Sequence, residues 1–139
     1  MRYLDDTYRR VGHQKTTSAH ELERVGQGLF MRSWRGVVPS NRIPAASPDT
    51  FVIANLQTDA PGNPGSHWVC RYVAPDGTCA WHDPLGEAGE QQREAFEQHV
   101  NQWTDDDAEQ HPLETNCGQR CLAALCVARD MGIESFLLL

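Results

Sequence analysis

The chain has 139 residues, enough for one hydrophobic core and too few for two, and its four Trp, three Tyr and four Phe mark a folded protein rather than a disordered one. A mean hydropathy of -0.56 implies a thin core with substantial loops. The net charge of -7 and the absence of any basic run disfavour DNA or RNA as a primary ligand, because nothing would grip the phosphates.

The first ten residues lack the apolar stretch of a signal peptide, and no apolar run reaches membrane-spanning length. An intracellular protein without a membrane segment is therefore expected. Five cysteines is an odd number, which leaves at least one thiol unpaired, and all five in a reducing compartment.

In chain order, residues 1–17 are polar and mixed, with Gly12 and Thr16-Thr17 as breakers, and predict a loosely packed lead-in to a single domain spanning 1–139. Ser18 with Glu21 three residues on makes a capping box, opening a helix that carries Leu22, Val25 and Leu29 toward Met31. Gly26 and Gly28 weaken it. Residues 34–48 read as loop with one brief strand at Val37-Val38, and Phe51 to Leu56 as a buried strand. After the turn Pro61 to Gly65, strands His67–Val73 and Thr78–Asp83 are joined by Ala74-Pro-Asp-Gly77, a hairpin signal. Glu87 to Trp103 reads as a helix with Phe96, Val100 and Trp103 on its apolar face, and Asp105-Asp106-Asp107 as a solvated turn. A short strand before Gln110 and a last helix from Cys117 to about Met131, closed by Gly132, complete the chain.

The start of that last helix is the chemically suggestive stretch. Thr115-Asn116 are capping residues, so Cys117 falls in the first turn, where unpaired N–H groups and the helix dipole favour an anionic sulfur. Gly118 beside it would let a substrate backbone approach closely. The same pattern also suits a buried thiol acting as a small hydrophobe.

Two features centred on histidines compete. In a hairpin turning at Asp76-Gly77, the start of the first strand lies opposite the end of the second, which brings His67 and Asp83 to one edge of the sheet. A carboxylate there would fix the imidazole tautomer and favour an ion pair with a thiol; alternatively Asp83-Pro84-Leu85-Gly86 is only a turn. The second feature, His67-x-x-Cys70 with Cys79-x-x-His82, offers four zinc ligands, but residues three apart on a strand face opposite ways, so no metal site is expected.

Taken together, Gly65-Ser66-His67-Trp68-Val69, Trp81-His82-Asp83-Pro84-Leu85-Gly86, and Gln110 followed by Asn116-Cys117-Gly118-Gln119-Arg120-Cys121 resemble the adenovirus endopeptidase (adenain) family, within the clan of the SUMO-deconjugating cysteine proteases. Phe30 to Pro44 and Val52 to Asn55 are similar to that family's upstream segments, so the likeness covers roughly residues 20 to 135. It implies an α+β fold: a papain-like cysteine protease core in adenain/SUMO-protease order, its central helix carrying the cysteine on a small mixed sheet. It further implies Cys117 as nucleophile, His67 as general base, Asp83 orienting it, and Gln110 with the Cys117 N–H as oxyanion hole. Trp68, Gly118 and Asn116 are the expected substrate-binding residues, with Trp68 either packing over the site and shaping the groove or belonging to the core. A protein or peptide is the implied substrate, in maturation of viral structural proteins, with no cofactor.

The chain also departs from the family. Adenain carries Glu at the position of Asp83, whereas the deconjugating members use Asp. The chain is shorter than well-known members, and the family's cofactor cysteine and basic DNA-binding surface have no counterpart, so stimulation by DNA or a disulfide-linked peptide is not carried over. The short chain leaves room for an activating peptide or protein. Expected locations are the host cytoplasm or nucleus, or the virion. Cys121, one turn after Cys117, is expected to be a packed thiol. A ubiquitin-like-protein deconjugating protease and a catalytically idle binding module of the same fold stand as alternatives.

Overall fold

The computed structural model describes residues 2–55, 67–84, 103–104 and 116–139. Over these the protein is α+β. Helices α1 (Arg2–Val11) and α2 (Ala19–Phe30) lead, through a 3-10 turn at Met31–Ser33, into strands β1 (Trp34–Val38), β2 (Thr50–Asn55), β3 (Trp68–Val73) and β4 (Cys79–His82). Helices α3 (Cys117–Met131) and α4 (Ile133–Leu137) follow. The sheet order is β1-β2-β3-β4, with β1 parallel to β2 and the remaining pairs antiparallel, so the sheet is mixed.

Local chemistry sets the boundaries. The Ser18 hydroxyl accepts the Glu21 N–H at 3.1 Å while a Glu21 carboxylate oxygen accepts the Ser18 N–H at 3.1 Å, the reciprocal capping box the sequence predicts. The β3–β4 hairpin turns at Asp76-Gly77, where Gly77 takes φ +91° and the Ala74 C=O accepts its N–H at 2.9 Å. Gly132, at φ +87°, closes α3, its N–H returning to the Ala128 C=O at 2.8 Å.

Residues 2–17 correct the expectation of a loose lead-in. Leu4, Thr7 and Val11 recur at helical spacing and bury the inner face of α1, which packs on α3. The segment after it is anchored too: the Gln119 side chain donates to the His13 and Lys15 carbonyls at 3.2 and 2.7 Å, and Thr17 is buried. The glycine in α2 that weakens the helix by propensity is required by packing. A Cβ at Gly26 would sit 2.3 Å from the Trp34 indole.

One main core lies between the helices and one face of the sheet. It joins Leu22, Val25 and Phe30 of α2, Phe51, Ile53, Cys70, Tyr72 and Ala80 of the sheet, and Cys121, Leu122 and Leu125 of α3. Helix α3 is buried on nearly all sides, as its mostly small and apolar residues allow. The other face of the sheet buries Val52, Ala54, Val69 and Trp81 beneath Ile43 and Trp103. There the buried Arg71 guanidinium donates to the Pro44 C=O at 2.8 Å and lies over the Trp81 ring, tying the loop after β1 to the sheet.

Trp103 differs from its predicted place on a helical face. It forms a parallel bridge with Trp81, and the Thr104 N–H donates to the Trp81 C=O at 2.8 Å, so these two residues extend the sheet beside β4. The turn at 61–65, the rest of the helix predicted to end at Trp103, the acidic cluster, the strand before Gln110 and Gln110 itself lie outside the described residues. Among the described residues no helix is long and apolar enough to cross a membrane.

Candidate active site

The open end of the β3–β4 hairpin meets the N-terminus of α3. His67 immediately precedes β3 and Asp83 immediately follows β4, which ends at His82. The antiparallel register pairs Cys70 with His82, so the two residues leave the sheet at the same edge. There His67 Nε2 donates to Asp83 Oδ1 at 2.7 Å, and the Asp83 side chain has no exposed surface. The ring also hydrogen-bonds Cys117, the first residue of α3.

The His67 ring is only 15% exposed. Burial by itself works against a charge on it, but the hydrogen bond to Asp83, the hydrogen bond to Cys117 and the charges of both outweigh burial and push His67 up to about 9. Both partners thus favour the protonated form of the imidazole, which lies between the Asp83 carboxyl and the Cys117 sulfur. This arrangement can activate a thiol as a nucleophile and later give up a proton to a leaving group.

The backbone adds to the sulfur's surroundings. The Trp68 N–H points at Cys117 Sγ across 3.4 Å, and the Trp68 C=O accepts from Cys121 Sγ at 3.3 Å. Cys121 is fully buried, and burial first, then contact with the Cys70 thiol, keeps its pKa well above the usual thiol range. Burial likewise pushes Cys126 up to about 11 and raises Cys79. None of the five cysteines, all among the described residues, is in a disulfide.

Of the residues expected at the substrate, Trp68 takes its alternative place in the core, and Gly118 and Asn116 are buried as well. Trp68 is 6% exposed, and its indole N–H donates to the Thr17 C=O at 3.4 Å. A Cβ at Gly118 would fall 2.0 Å from Thr17 Oγ1 and 3.0 Å from a Leu22 methyl, so this glycine lets the lead-in and α2 approach α3 rather than leaving room for substrate. Asn116 stands at the N-cap position, but its side chain makes no capping bond. Its amide N–H donates to the Tyr8 hydroxyl and its oxygen accepts from Arg120 Nε at 3.2 Å. The contributions of Thr17, Tyr8 and Gln119 escaped sequence reading. The spacing of Leu4 and Val11 was the available signal for α1, and nothing comparable marked Gln119.

The four histidine and cysteine residues of the zinc pattern do not converge. His67 is on Asp83, His82 Nδ1 is on Thr104 Oγ1 at 2.8 Å, and Cys79 pairs with Val73 toward the turn, away from Cys70 and His82. Among the described residues no group of three or more His, Cys, Asp or Glu side chains is placed to hold a metal ion. Gln110, the expected oxyanion donor, lies outside the described residues. In comparisons with known proteins, the chain matches no family model and no curated protein.

Proposed function

We propose that the chain is a cysteine endopeptidase that cleaves peptide bonds through a thioester, with a Cys117–His67–Asp83 triad. The observation that carries this reading is the doubly engaged His67 ring, bonded to the buried Asp83 carboxylate and to Cys117. The papain-like arrangement belongs to the proposal and draws support from α3, which packs on β3 with Cys117 in its first turn.

In this mechanism the Cys117 sulfur attacks the scissile carbonyl carbon and the carbonyl π-electrons move onto oxygen. The oxyanion is met by the Cys117 N–H and, by the resemblance, by the Gln110 side-chain amide. Each such donor contributes roughly 2.7–4 kcal/mol to the transition state. Collapse breaks the C–N bond as His67 gives its proton to the departing amine, leaving an acyl-thioester. Water, deprotonated by the now neutral His67, attacks the thioester, and the acid product leaves with Cys117 restored. Asp83 holds the ring orientation throughout. Maturation of viral or virus-like structural proteins is the setting the resemblance favours.

The test is labelling with a thiol-directed peptidyl probe, read by intact mass, on the wild type beside Cys117→Ser, His67→Ala and Gln110→Ala. One adduct per chain, abolished by the first two substitutions and slowed by the third, is the expected result. Adducts spread over several cysteines and indifferent to His67→Ala would overturn the reading and leave a binding module of the same fold.

A further inference from the structure

Trp68 opens β3, and both polar atoms of its backbone end on sulfur. The β3–β4 ladder stops at the pair Cys70–His82, so Trp68 lies beyond the last residue of β4. The atoms the ladder leaves over are taken by α3: the N–H reaches Cys117 Sγ at 3.4 Å and the C=O accepts from Cys121 Sγ at 3.3 Å. Residues four apart share a helix face one turn apart, and the N–H and C=O of one extended residue point to the same side. A single strand residue can therefore span the two sulfurs.

We infer that Cys121 is a positioning residue for the nucleophile: its S–H, donated to the Trp68 carbonyl, fixes the start of β3 against α3, so that the Trp68 N–H and the adjoining His67 ring both meet Cys117. The inference rests on the protease reading above. Cys121 is suited to the role because it has no exposure and touches Cys70, an environment that keeps its proton on sulfur. It is a donor there and not a second nucleophile. A cysteine that merely filled space at this site would need no acceptor, yet the Trp68 carbonyl faces it.

The test compares wild type with Cys121→Ser, which keeps a donor, Cys121→Val, which keeps volume without one, and Cys121→Ala, which keeps neither. The rate of single-adduct formation with iodoacetamide is followed by intact mass from pH 5.5 to 9, below each variant's melting temperature. At pH 6 the valine and alanine variants should react about tenfold more slowly than wild type or worse, the scale of losing a hydrogen bond to a charged group, and the serine variant within about threefold of it. Valine and alanine variants that melt earlier but overlay the wild-type profile would overturn the inference. His67→Ala, run alongside, separates the two ideas. Wild type no faster than His67→Ala at pH 6 sinks the protease reading and this inference with it, whereas a faster wild type matched by the valine variant sinks the inference alone. If the valine and alanine chains do not fold, the infrared S–H band that Cys121→Ser removes decides: a band below that of a free thiol supports donation, and an unshifted band overturns it.

Discussion

The β3–β4 hairpin carries an aspartate at each end, and the two do different work with the same group. At the closed end Asp76 is exposed, and its Oδ1 accepts the Thr78 N–H at 2.9 Å. At the open end Asp83 is buried, and its Oδ1 accepts from His67 at 2.7 Å. In water the hydrogen bond to a carboxylate shapes a turn and little else, because solvent screens the charge. Out of water the same bond sets the charge of its partner, and the partner here also touches Cys117. Burial, more than hydrogen-bond length, separates a turn residue from a candidate catalytic one.

The largest expected effect sharpens that contrast. Asp83→Asn should slow probe labelling of Cys117 by about 10²–10⁴-fold, the range of general acid–base contributions, while Asp76→Asn leaves it within about twofold. Equal effects of the two substitutions would erase the distinction. A second measurement uses pH. His67 is raised from 6.5 to about 9, so the stability it supplies is fully present below pH 6.5 and is lost as pH rises through 9, with roughly 3–4 kcal/mol as the upper bound. The Asp76 carboxyl is lowered, mainly by the Thr78 N–H, so its contribution runs the other way and is lost as pH falls through that lowered value. Wild type should melt at lower temperature at pH 9.5 than at pH 6.5, and His67→Gln should flatten that slope. A slope that persists in His67→Gln would mean that the ring is not held charged.

Local signals made much of this legible. Ser18 with Glu21, the Asp76-Gly77 turn, the β-branched run in β2 and Gly132 after α3 each depend on neighbours a few residues away, and each element stands where its signal lies. The meeting of His67 with Asp83 was readable because a hairpin turn fixes register. What escaped depends on distant partners. Helix α1 is so rich in charge that Leu4 and Val11 look isolated until α3, more than a hundred residues later, supplies the surface they bury against. Trp103 has the spacing of a helical face, and only the exposed edge of β4 makes it a bridge partner. Gly118 reads as clearance for substrate because the sequence cannot show Thr17 already filling that space.

That last misreading supplies the smallest pair of effects. Gly118 and Gly77 sit near opposite ends of the same hairpin and resist a side chain for different reasons. At Gly118 an alanine methyl would overlap Thr17 Oγ1 and crowd Leu22, both held by the lead-in and α2, so the cost is steric, about 2 kcal/mol. At Gly77 nothing lies within 4 Å of a Cβ, but φ is +91°, so the cost is backbone strain, about 1 kcal/mol. Denaturant melts of Gly118→Ala and Gly77→Ala check both values, and Thr17→Gly tells the mechanisms apart. Removing the Thr17 side chain should recover part of the Gly118→Ala loss and none of the Gly77→Ala loss, because coupling of that kind requires contact. Independent, additive losses in both double variants would mean that the lead-in does not press on the first turn of α3, and that the contact between Thr17 and Gly118 does not limit what can stand at that position.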